Sequence, residues 1–72
     1  MPENCAALID ALTNCRKSKG ITQEQLAEAT GIPRPAIARF ETKKHMPMLS
    51  TLIKVAEALD CDLTITPRKT AL

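Results

Sequence analysis

Glycine and proline cut this chain into pieces that suit short helices. Gly20, Gly31, the pair Pro33 and Pro35, Pro47 and Pro67 separate its apolar-periodic runs. The first run predicts a helix from near Asn4 to about Ser18, with Asn4 offering an N-cap. Leu8, Ala11, Leu12 and Cys15 recur at three- and four-residue spacing and form its apolar stripe. Arg16, Lys17 and Lys19 fall in or after the last turn, where cations favour the helix dipole, and Gly20 is the stop.

The second run opens on Thr22, whose hydroxyl can cap early helix amides while Gln25 completes a capping box. Leu26 and Ala27 face inward, and Thr30-Gly31 ends the run after about seven residues. Pro33 and Pro35 pre-set φ for a third helix from about Arg34 to Glu41 or Thr42. Two prolines so close also fit a loop, but the i,i+3 pair Ile37 and Phe40 favours the helix. After a connection over 42–48, a fourth helix is expected from about Leu49 to Leu59. Leu52, Val55, Ala56 and Leu59 form its buried face, and Met48 stands where a capping side chain is missing.

The last piece reads differently. Leu63, Thr64 and Ile65 alternate, so Asp62 to Thr66 is expected as a short strand, ended by Pro67. A lone strand leaves its edges unpaired. With no other strand candidate in the chain, its partner would be the same strand of a second subunit, through Leu63 and Ile65; the alternative is a disordered tail. The expected fold is therefore all-α, four or five short helices with a C-terminal β-strand pairing across a dimer. The division is 4–60 for the helical domain, 61–67 for the dimerising strand and 68–72 for a flexible tail.

Composition excludes several functions. At 72 residues the chain suits one domain, too short for a TIM barrel or a full dinucleotide-binding unit. Phe40 is its one Phe, Tyr or Trp, so a base-stacking platform of aromatic rings is excluded. Cys5, Cys15 and Cys61 include no CxxC pair, and their number is odd; free thiols in a reducing cytoplasm are expected, not a disulfide framework or a zinc site. His45 and Cys61 form no ligand pattern, so no metal or other cofactor is expected. No apolar run approaches the roughly 20 residues that span a bilayer, and no basic region followed by a long apolar segment marks a secretory signal. No nucleophile–His–acid set and no phosphate-cradling glycine loop is present, so an enzyme is not expected. The net charge of +2 says little, but Arg34, Arg39, Lys43 and Lys44 cluster, offset by Glu41.

Two short helices joined across Thr30-Gly31-Ile32 form a helix-turn-helix pattern. The second helix of such a unit enters the major groove of DNA. Arg34 and Arg39 would face outward there, and an arginine fork matches the acceptor pair of guanine. Pro35 and Ala36 are small enough to meet a thymine methyl.

The stretch Gly20-Ile21-Thr22-Gln23-Glu24-Gln25-Leu26-Ala27, then Thr30-Gly31-Ile32 and Ile37-Ala38-Arg39-Phe40-Glu41, resembles the lambda/434 repressor-like class, also called the Cro/XRE family. Pro47-Met48-Leu49 with Leu52, Val55, Ala58 and Leu59 continues the likeness over roughly residues 6 to 60. The strand-like ending is similar to the dimerising segment of some HigA- and HipB-like antitoxins. The resemblance implies a compact DNA-binding bundle, a dimer on a palindromic operator. It implies a phosphate contact for Gln23, which also braces the recognition helix, and backbone contacts for Lys43 and Lys44 near the dimer centre. Base-facing positions fall on Arg34, Pro35 and Arg39. Ala27 becomes the helix-crossing position, Gly31 the turn, Ile37 and Phe40 the packing side, and Glu41 a structural acid. Pro33 departs from a position that often carries a hydroxyl, and Lys43 from one that is often glycine. The expected function is a sequence-specific, autoregulatory repressor in the cytoplasm of a bacterium or phage host, associated with the nucleoid. A cognate toxin would be a further partner. The alternative is a protein-binding adaptor that keeps the fold without operator recognition.

Overall fold

The structure, a computed structural model, describes residues 3–64. Four helices follow in chain order: α1 (Glu3–Ser18), α2 (Gln23–Thr30), α3 (Arg34–Glu41) and α4 (Leu49–Ala58). The all-α expectation holds, and no fifth helix or strand lies among the described residues. Asp62, Leu63 and Thr64 have no regular structure, while Ile65, Thr66 and the expected tail at 68–72 lie outside the described residues. The expected strand therefore has no counterpart at its first three positions. One chain also offers no second edge for a ladder to bond.

Local chemistry explains where the helices start. Thr22 Oγ1 accepts from the Gln25 amide at 3.0 Å, and Gln25 Oε1 accepts from the Thr22 amide at 2.9 Å. This is the capping box expected from the sequence. Pro33 and Met48 precede α3 and α4 with no side-chain cap bond. Asn4 lies inside α1 and so is not its cap, because the helix already includes Glu3.

Left-handed residues follow the helices. Gly20 at φ 70° follows α1, with its amide on Lys17 O at 3.0 Å and the Ile21 amide on Arg16 O at 3.1 Å. That is a Schellman motif. Gly31 at φ 76° ends α2 with one bond, to Ala27 O at 2.9 Å. Lys43 at φ 63° and Asp60 at φ 55° take the same conformation after α3 and α4 without being glycine. Lys43, where the resembled family often has glycine, thus takes the left-handed conformation that glycine adopts most readily. The Asp60 and Cys61 amides reach Glu57 O at 3.1 Å and Ala56 O at 2.8 Å, a second Schellman motif.

α1 and α2 each pack against both α3 and α4. The core is Ile9, Leu12, Leu26, Ile37, Phe40, Leu52, Val55, Ala56 and Leu59. Each large aliphatic buried here contributes about 1.5–3 kcal/mol relative to exposure. The stripe expected on α1 is rotated in the structure. Ile9 and Leu12 are buried, Leu8 and Cys15 are half-buried, and Ala11 is exposed. At 100° per residue the buried face centres between Leu12 and the pair Ile9 and Arg16, which turns Ala11 outward.

Candidate nucleic-acid interface

The third helix is amphipathic in a way that separates holding from presenting. Ile37 and Phe40 are buried in the core, whereas Arg34, Pro35, Ala36 and Arg39 are exposed. Gly31 and Pro33, between α2 and α3, are exposed as well, so the approach to the outer face is open. Ala27 is half-buried against the core, consistent with a close crossing of α2 over its neighbours. The prolines leave few amides at the start of α3. The first of its internal bonds run from Ala36 N at 2.9 Å and Ile37 N at 3.1 Å, both to Pro33 O.

A buried ion pair fixes this helix from behind. Arg16, on α1, is 8% exposed. Its Nε donates to Glu41 Oε2 at 2.6 Å and its Nη2 to Glu41 Oε1 at 2.9 Å. The two parallel bonds form a fork that sets orientation as well as distance. Arg16 Nη1 donates to Ile21 O at 2.8 Å, which joins the same guanidinium to the turn before α2. Gln23 Nε2 donates to Glu41 Oε1 at 2.9 Å. One carboxylate at the end of α3 thus receives three donors, from α1 and from the first residue of α2.

Several expectations change in detail. Arg16 does more than offset the α1 dipole; its guanidinium is turned into the bundle. No spacing rule finds this pair, since its members are 25 residues apart in sequence. Gln23, half-buried, braces the helices as the resemblance implied, through its amide nitrogen on Glu41. Lys43 Nζ pairs with Asp10 Oδ1 at 2.8 Å, tying the turn after α3 to α1. Lys44 is exposed, and its amide donates to Thr42 Oγ1 at 3.4 Å. His45 is exposed beside a small cavity of about 180 Å³ that Ile32, Phe40, Pro47 and Thr51 also line. The structure therefore brings Arg34, Pro35 and Arg39 to one open face, with Lys44 at the turn that follows. Gln23 and Lys43 each have a partner within the chain. Of the expected dimer contacts, Leu63 is 36% exposed and Ile65 lies outside the described residues.

Among the described residues, no cluster of His, Cys, Asp and Glu side chains could hold a metal ion. None of their helices is long and apolar enough to cross a membrane.

The chain matches the helix-turn-helix family over residues 12–65. It is 41% identical over 61 residues to an uncharacterized HTH-type transcriptional regulator of Haemophilus influenzae, covering 85% of this chain and 62% of that one. It is 36% identical over 63 residues to antitoxin HigA1 of Mycobacterium tuberculosis, covering 88% of this chain and 42% of the relative. Antitoxin HipB of Escherichia coli is 31% identical over 64 residues, covering 89% of this chain and 73% of its own. The chain thus spans less than two thirds of the length of the first two relatives. No solved structure matches it significantly.

Proposed function

The chain belongs to the helix-turn-helix family, whose members are DNA-binding regulators without a catalytic centre, and on that premise we propose that it is a sequence-specific transcriptional repressor. The observation that carries this reading is the outer face of α3. It presents Arg34 and Arg39 to solvent while Ile37, Phe40 and the Arg16–Glu41 fork hold the helix from behind. Arg34 and Arg39 read base edges, with Pro35 against a thymine methyl. Lys44 contacts phosphate. Gln23 positions α2 through Glu41 and offers the rest of its side chain to the backbone, and Lys43 reaches phosphate once released from Asp10. The mechanism is steric: an occupied operator excludes the transcription machinery.

The active unit is a homodimer on a palindromic operator. Met46, Met48 and Leu49 are 63%, 72% and 68% exposed, and Leu49 lines an apolar hollow with Leu8, Ile53 and Leu63 that a second copy would cover. Leu63 belongs to the expected dimerising segment 61–67. Two copies reading one face of DNA place their half-sites about 34–36 Å apart. The likeness to HigA1 and HipB supports an antitoxin role, in which the protein also binds a toxin and represses its own operon in a bacterial or phage-infected cytoplasm.

Fluorescence anisotropy on DNA from directly upstream of the gene tests the proposal. Saturable binding far tighter than to a scrambled duplex, and lost in Arg34→Ala/Arg39→Ala, is the expected result. Equal, strongly salt-dependent binding to both duplexes would instead favour the adaptor alternative.

A further inference from the structure

Two thiols from distant parts of the chain meet at the edge of the bundle. Cys15 Sγ, on the last turns of α1, lies 2.8 Å from Cys61 Sγ, although the two are 46 positions apart in sequence. Both are free and half-buried. Neither position is loosely held. Cys61 is the closing residue of the Schellman motif after α4, and Lys19 Nζ, beyond the end of α1, donates to Leu59 O beside it. The ends of α1 and α4 are therefore already joined by a cation–carbonyl bond one helical turn from the thiols. A disulfide needs its sulfurs at about 2.05 Å, so closure asks the two sulfurs to approach by under about 1 Å.

We propose that Cys15 and Cys61 are a modification site, closing to a reversible disulfide that staples the end of α1 to the exit of α4. The oxidant is a small-molecule disulfide. One of the two thiolates attacks it, forming a mixed disulfide and releasing one small thiolate. The second protein thiol loses its proton to solvent and attacks the protein sulfur of that mixed disulfide, releasing the second small thiolate. Two protein thiols are oxidised by two electrons, and the small disulfide is reduced to two thiols. Cys5 is not an alternative partner for Cys15. It lies almost three turns earlier on the same helix, about 15 Å along the axis, beyond disulfide reach.

The groups around Cys61 set the pH dependence. Its hydrogen bond with Cys15, and then its partial burial, push the Cys61 thiol above its ordinary value; Asp60 acts in the same direction and Lys19 opposes it. Closure accelerates as the pH rises, because the attacking species is the thiolate. The staple constrains the unfolded chain across a long loop and leaves the α3 face untouched, so it stands independently of the DNA-binding reading.

The test uses the full chain and oxidised glutathione as the probe. After incubation, remaining thiols are alkylated under denaturing conditions and the protein is mapped by mass spectrometry. The expected result is a linked Cys15–Cys61 peptide pair with Cys5 alone alkylated. The melting temperature should rise by about 10 °C or more and return on adding dithiothreitol. Cys61→Ser and Cys15→Ala should melt at the same temperature with and without the probe. Three alkylated thiols, a stable glutathione adduct at Cys15 or Cys61, linkage through Cys5, or a link with no thermal shift would each overturn the proposal.

Discussion

Glu41 receives donors from two other helices, which tie the end of α3 to α1 and to the start of α2. Its partner Arg16 and Glu41 itself are each about 10% exposed at the side chain. Truncating one member leaves the other charged and buried, which costs about 3–5 kcal/mol, whereas replacing both with apolar residues is often neutral. Glu41→Ala should therefore lower unfolding free energy in urea by about 3 kcal/mol, and Arg16→Met/Glu41→Leu should recover most of it. A double variant as unstable as the single one would show that the fork is a net contributor and not an orienting device. The left-handed residues give a second expectation. Asp60 holds φ 55° on an exposed site, where glycine avoids the steric cost of a Cβ. Asp60→Gly should add about 0.5–1 kcal/mol, read as a higher urea midpoint at unchanged slope. These single-residue roles were the least legible part of the sequence. Gly20 and Gly31 announce their conformation by type, but Lys43 and Asp60 do not. Arg16 reads as a dipole partner because its true partner is distant in sequence, whereas the bracing role of Gln23 was legible through the family resemblance and only its partner, Glu41, was not.

Helix limits were far more legible, because they follow from chemistry within a few residues. The Thr22–Gln25 box, Gly20 and Gly31 bound α2 with no tertiary information, and Ile37 with Phe40 argued for α3 despite two prolines. What local rules could not give was rotation about the axis: the α1 stripe was displaced because two flanks of that helix are partly covered and only the packed partners reveal which is central. The expected strand is harder still, since alternation marks a surface that fits a ladder and says nothing about whether an edge is there to bond. α4 shows what a missing cap leaves open. Met48 has φ −71° and ψ 149°, a conformation suited to a capping residue, but its side chain caps nothing. Met48→Asp should stabilise the monomer by about 1 kcal/mol through a new cap and the helix dipole. Where a second copy also covers Met48, the same variant should weaken dimerisation. Thermal unfolding at low concentration and sedimentation at high concentration separate the two effects, and tighter self-association would remove Met48 from the interface.

For the whole molecule, the useful contrast is between a charge that places the protein on DNA and one that selects a sequence. Lys44→Ala should weaken binding to all duplexes alike and flatten the slope of log K against log salt by about 0.9 for the lost phosphate contact. Arg39→Ala should instead narrow the gap between operator and scrambled DNA by about 1–3 kcal/mol. Titrations at several salt concentrations distinguish them, and an identical loss of specificity in both variants would refute the division. The face that Arg34, Pro35, Ala36 and Arg39 form is exposed, and nothing in the core depends on these four side chains. Exchanges at Arg34, Ala36 and Arg39 usually change stability by no more than about 0.5 kcal/mol, while Pro35 also pre-sets the first turn of α3. On the proposed function, a lineage carrying this scaffold can therefore swap its vocabulary of target sites one residue at a time. Each intermediate stays folded while new operators are tried, and descendants diverge in what they regulate long before they diverge in shape.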